Sequence, residues 1–148
     1  THGEVRLPVP GSIRGGCSFT DGANGHFQGL AALLMKTALW DITRECYVDR
    51  DSVLYRTTRI PCCIHDESFG ETMAHVAHLT APRVAQLMVR AGIEICPDVA
   101  VKVEPAISRR WLKAMEAAYD ADGKLIPWED SPAGAKYLKD RDWDLRAA

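Results

Sequence analysis

The run Pro61-Cys62-Cys63-Ile64-His65-Asp66-Glu67-Ser68-Phe69-Gly70-Glu71 is the most telling part of this chain. A short apolar stretch ends in three adjacent polar residues and then returns to a mixed apolar pattern. Such a pattern predicts a strand, a tight acidic turn and a second strand, with Asp66 and Glu67 at the tip. Neighbouring carboxylates repel each other and gain nothing from a core. Binding of a divalent cation is one setting where they become useful, because hard Mg²⁺ prefers carboxylate and phosphate oxygens. An ordinary solvated hairpin turn is the competing reading, and these residues alone do not separate the two.

A second segment lies upstream: Asn24-Gly25-His26-Phe27-Gln28-Gly29-Leu30-Ala31-Ala32-Leu33-Leu34-Met35-Lys36-Thr37-Ala38-Leu39-Trp40. Good helix formers dominate from Phe27 onward, and Leu30, Leu33, Leu34, Ala38 and Leu39 are spaced for one helical face. Asn24 is the expected N-cap of a helix running from about Asn24 to Cys46, with an end near Thr43 as the alternative. Gln28 sits one turn in, beside Gly29, whose missing side chain permits close approach of a backbone or ligand. A buried helix with a polar first turn would show the same pattern.

In this order, the two segments resemble the C-terminal palm of family A DNA polymerases, the group of bacterial DNA polymerase I and related phage replicases. That family carries a helix of pattern Asn-x-Pro-x-Gln-Gly-x-Ala-Ala-Asp-x-x-Lys. A hairpin reading Val-His-Asp-Glu, motif C, follows it. Asn24, Gln28, Gly29, Ala31, Ala32 and Lys36 match the helix, and Ile64-His65-Asp66-Glu67 matches the hairpin. Arg14-Gly15-Gly16-Cys17-Ser18-Phe19-Thr20 resembles the approach to that helix in phage members. The likeness covers roughly residues 11 to 115. The chain departs from the pattern at His26, where the family has Pro, at Leu33, where it has Asp, at Cys63, often Gln, and at Ser12, commonly Arg.

The resemblance implies nucleotidyl transfer to a primer 3′-hydroxyl by two Mg²⁺ ions. One ion lowers the pKa of that hydroxyl, and the other neutralises charge on the incoming dNTP and the leaving pyrophosphate. Two aspartates from different strands clamp the ions. Asp66 matches one of them, and Glu67 matches a supporting acid. His65 matches a residue that lies against the primer terminus. Gln28 and Asn24 would donate to minor-groove acceptors shared by all base pairs, so they test pair geometry without reading sequence. Arg14 would neutralise a template or primer phosphate. Lys36 reads as a solvated helix-face residue.

No Asp-Tyr-Ser-x-Ile-Glu strand and no Lys-x-x-x-Phe-Gly-x-x-Tyr-Gly helix occurs in the 148 residues. The expected partners are therefore a remaining polymerase chain with fingers, thumb and first aspartate, together with primer-template DNA and dNTP. A split-polymerase subunit of the phage type is the preferred origin; a fragment or a decayed gene product stays open. Two rivals remain. One is a catalytically inactive palm-like assembly or DNA-binding module. The other is a metal-dependent hydrolase using Asp66, Glu67, His75 and His78, although His75-x-x-His78 fits no recognised zinc pattern.

Composition sets the frame for these readings. The length fits one domain, and with 47% apolar residues the chain can bury a core. No apolar run approaches the ~20 residues that span a bilayer, and the first residues lack an export signal. A soluble cytosolic protein without membrane contact is the expectation. Five cysteines, Cys17, Cys46, Cys62, Cys63 and Cys96, read as reduced thiols. A net charge of −2 gives no basic excess, which argues against gripping DNA alone.

Along the chain, 1–22 reads as an extended Gly/Pro-rich arm, 23–119 as the palm subdomain and 120–148 as a polar, aromatic tail with Trp128, Tyr137 and Trp143. The periodicity from Met73 to Ala91 predicts a helix, with apolar positions Val76, Leu79, Val84, Leu87 and Met88. Pro82 would kink it or force a restart capped by Thr80. Asp98 to Glu104 alternates as a half-buried strand should. Ser108 would cap a last helix bearing Trp111, Leu112, Met115 and Tyr119. Asp120-Ala121-Asp122-Gly123 reads as a turn, since the later ligands of a calcium loop are missing. The fold class expected is α+β: a partial polymerase palm with an antiparallel hairpin and a further strand packed on helices.

Overall fold

The structure is a computed structural model that describes residues 3–6, 11 and 13–141. Expectations resting on Ser12, on Trp143 with the rest of 142–148, and on residues 1–2 and 7–10 lie outside the described residues. The chain has an α+β fold. In order come β1 (Gly3–Arg6), β2 (Ile13–Cys17), α1 (Phe19–Tyr47), β3 (Thr58–Ile64), β4 (Glu67–Thr72), α2 (Ala77–Ile95), β5 (Ala118–Tyr119), β6 (Leu125–Ile126) and α3 (Pro132–Asp140). Strands pair only as antiparallel hairpins, β1 with β2, β3 with β4 and β5 with β6, among the described residues. No helix among them is long and apolar enough to cross a membrane.

Helix α1 starts earlier than the sequence pattern implies. Ser18, not Asn24, is its N-cap: Asp21 N donates to Ser18 Oγ (3.2 Å) and Ser18 N donates to Asp21 Oδ2 (3.1 Å). This reciprocal box satisfies two orphan donors at once, which a lone asparagine further along cannot do. Asn24 therefore lies inside the helix, exposed to solvent. The capping bonds also hold the Asp21 carboxyl below its ordinary range, with a smaller contribution from the Arg14 guanidinium.

The main core lies where the second half of α1 meets α2. Ala38, Ile42 and Cys46 of α1 pack with Leu87, Met88 and Ala91 of α2 and with Leu54 from the intervening turn. The Cys46 thiol is pushed up by burial, and the neighbouring Glu45 charge adds to the effect. Two ion pairs bind the same helices: Arg83 Nε donates to Glu45 Oε2 (2.9 Å) and Arg90 Nη2 to Asp41 Oδ2 (2.8 Å).

Helix α2 runs unbroken through Pro82, after a 3₁₀ turn over Ala74–Val76. Thr80 is not its cap; it is buried within the helix, with its hydroxyl bonded to the Ala77 carbonyl (3.3 Å). The inward stripe is Ala77, Thr80, Leu87, Met88 and Ala91, which turns Leu79 out to 51% exposure against expectation.

Two further expectations are corrected. Residues 98–104 belong to no strand. The alternation holds over 101–104, with Val101 and Val103 half-buried and Lys102 and Glu104 exposed, but Val99 is exposed, and Val101 and Val103 pack on helix instead of pairing in a ladder. Gly92 makes this approach feasible, since a Cβ there would stand 2.6 Å from Val101 Cγ2. Residues 108–117 form no helix either. The Ser108 hydroxyl and the Arg109 N–H both donate to Glu129 Oε1 (2.8 and 2.9 Å), a long-range capture that replaces helix capping.

That capture belongs to a second small core of Leu112, Ala118, Trp128 and Leu138, with Tyr137 edge-on to Trp128 at 5.2 Å. Asp120 Oδ1 accepts from the N–H groups of Asp122 (3.0 Å) and Lys124 (2.9 Å), so 120–123 is a turn between β5 and β6, with Gly123 at φ +77°. Ser131 caps α3, with Pro132 in its first turn.

Candidate functional site

The β3–β4 hairpin matches its expected outline: a strand, a two-residue turn at His65-Asp66, and a strand. Ile64 pairs with Glu67, Cys63 with Ser68 and Cys62 with Phe69. His65 has φ +54°, the left-handed backbone that the first central position of a primed hairpin turn requires. A non-glycine residue held there is uncommon and marks the turn as tightly specified by its flanking strands.

The register slips by one residue between Arg59↔Glu71 and Cys62↔Phe69. Two residues of β3, Ile60 and Pro61, thus oppose Gly70 alone. Pro61 has no N–H to give a ladder, so a bulge is where a strand tolerates it. Gly70 leaves room for Ile60, whose Cδ1 would lie 3.2 Å from a Cβ at that position.

The bulge divides the hairpin into unlike halves. At the base, Ile60 packs on the main core and a chain of threonine hydroxyls runs inward. Thr72 Oγ1 lies 2.9 Å from Thr58 Oγ1 and 3.0 Å from Thr80 Oγ1, and 3.2 Å from the Thr57 carbonyl. Thr58 and Thr80 are buried, so this network ties both strands to α2 in a dry setting where lost partners are costly. Beyond the bulge, Pro61, Cys62, Cys63, Ile64, His65, Asp66 and Glu67 are all exposed. Cys62 and Cys63 are free thiols. The carboxylates of Asp66 and Glu67 thus stand in solvent, open to a cation.

The other expected residues lie elsewhere on the surface. Asn24 and Gln28 are exposed on α1 and, four residues apart, share one helical face. Arg14 is exposed on β2, opposite Val5. Among the described residues, no hydrogen bond or ion pair links Arg14, Asn24 or Gln28 to His65, Asp66 or Glu67. No group of three or more His, Cys, Asp or Glu side chains capable of holding a metal occurs among them. The structure does not gather Asp66 and Glu67 with His75 and His78 into such a group.

The threonine chain escaped the sequence reading, as did an aromatic contact. Thr57 and Thr58 register in a sequence only as β-branched strand formers, and nothing local reveals that Thr72 and Thr80 converge on them. Trp111, expected on a helix, instead meets Phe69 of β4 edge to face, with centroids 5.5 Å apart and planes at 82°. Comparison of the chain with protein-family models, with curated proteins and with solved structures found no match.

Proposed function

We propose that this chain is part of a template-directed DNA polymerase that adds nucleotides to a primer 3′-hydroxyl by a two-metal mechanism. The observation that carries the reading is the hairpin tip His65-Asp66-Glu67, solvent-open at the end of an apolar strand. Upstream of it lies a long helix that displays Asn24 and Gln28 on one exposed face. Asp66 supplies one of two metal-clamping aspartates, and Glu67 supports it. His65 lies against the primer end, Gln28 and Asn24 reach the minor groove, and Arg14 meets a backbone phosphate. Mg²⁺, when bound, stabilises charge on the reacting phosphate oxygens. A second chain supplies the fingers, the thumb and the other aspartate, and the setting is the cytoplasm of a bacterial or phage-infected cell.

Two features support dependence on that second chain. The net charge of −2 offers no excess for phosphates. The hairpin is also a two-stranded sheet, whose outer edges have no strand partner among the described residues. Photo-crosslinking from the primer's 3′-terminal nucleotide in the assembled complex tests the reading. Crosslinks are expected at residues 64–67, with duplex positions reaching residues 24–28. A stable complex with DNA that crosslinks at neither segment would overturn it and favour an assembly module.

A further inference from the structure

We infer that Trp111 is a positioning residue for the hairpin tip, setting the angle at which residues 62–69 leave the bulge. Three observations converge on it. The base of the hairpin is fixed, through Ile60 in the core and the Thr58–Thr72–Thr80 hydroxyl chain. The register slip at Ile60-Pro61 opposite Gly70 interrupts the ladder between base and tip, and a bulge is where a hairpin bends. Past that point no hydrogen bond or ion pair among the described residues ties the hairpin to the rest of the chain, yet Ser68 and Phe69 are half-buried while Glu67, Gly70 and Glu71 around them are exposed. The aromatic neighbour of Phe69 is Trp111.

Trp111 itself is well placed for this task. It is 65% exposed, so its own burial adds little to the fold, while the adjacent Leu112 is 4% exposed and roots it in the C-terminal core. The Phe69–Trp111 contact therefore couples the C-terminal unit to the segment that bears Asp66 and Glu67. Phe69 lies two residues from Glu67 on the same strand, so a tilt at Phe69 is carried directly to the turn. The Trp111 contact sets the tip whatever the tip binds; its meaning for catalysis rests on the polymerase reading.

Amide hydrogen exchange on the 148-residue chain tests this without partner or substrate, so its failure is distinct from failure of the polymerase reading. Trp111→Ala should speed exchange about tenfold across residues 62–69 and leave Thr58, Thr72 and α2 unchanged. Trp111→Phe, which keeps an aromatic edge, should restore slow exchange, and Phe69→Leu should reproduce the alanine effect. Unaltered exchange at 62–69 in Trp111→Ala would overturn the inference. Equal acceleration in tip, base and helices would overturn it as well, since Trp111 would then be a general stabiliser.

Discussion

At the residue scale, Asp66 carries the heaviest claim. Its carboxylate is exposed at a turn whose preceding residue is held at positive φ, so replacement by a near-isostere should leave the backbone as it is. Asp66→Asn is expected to lower primer extension by two or more orders of magnitude (~100-fold) in the assembled enzyme, with DNA affinity nearly unchanged, because a neutral amide cannot hold the ion's charge. Single-turnover extension alongside a binding titration separates the two effects. Gln28→Ala should instead shrink the penalty for a mispaired primer end, since a lost donor no longer senses minor-groove geometry. Matched and mismatched primers give that ratio directly, and an unchanged ratio would assign Gln28 a purely structural role. These residues stood out in the sequence because each lies inside a short pattern with chemical content. Trp111 and Thr80 were not, since their importance comes from partners 42 and 8 residues away in sequence, Phe69 and Thr72.

Elements were legible where local chemistry alone determines them. The hairpin followed from an apolar run, three adjacent polar residues and a return to a mixed apolar pattern. Helix α1 followed from its composition, but its start was misplaced because Ser18 and Asp21 form a reciprocal cap ahead of Gly22 and Gly25. Ser18→Ala should cost about 1 kcal/mol and loosen the first turns of α1, measurable as a lowered denaturation midpoint with unchanged slope. The misses at 98–104 and 108–119 share a cause. An alternating segment needs a ladder to be a strand, and a serine needs a free hydroxyl to cap a helix. Here Gly92 and Glu129 supply tertiary alternatives that no window of local sequence contains.

For the whole molecule, stability rests on the α1–α2 core and the buried carboxylate at its edge. Leu87 is 1% exposed, and Leu87→Ala should cost about 2–5 kcal/mol in urea unfolding. Arg83 hydrogen-bonds Glu45 and, with Ser52, holds its carboxyl below the ordinary value near 4.5. A carboxyl depressed in the folded state contributes stability above its unfolded pKa and loses it as pH falls through the folded one. Glu45→Gln should therefore flatten the acid limb of the stability curve, whereas Arg83→Ala strands the charge and costs about 1–3 kcal/mol at neutral pH. In the proposed reading, the acidic tip of the two-stranded hairpin carries one aspartate of two and belongs to an enzyme completed by another chain. The most direct measurement is Mg²⁺-dependent primer extension by this chain mixed with the chain that carries the fingers helix and the other aspartate. Extension is expected only from the mixture, and to vanish when the chain carries Asp66→Asn. A stable mixture without extension, or template-directed synthesis by the isolated chain, would contradict it.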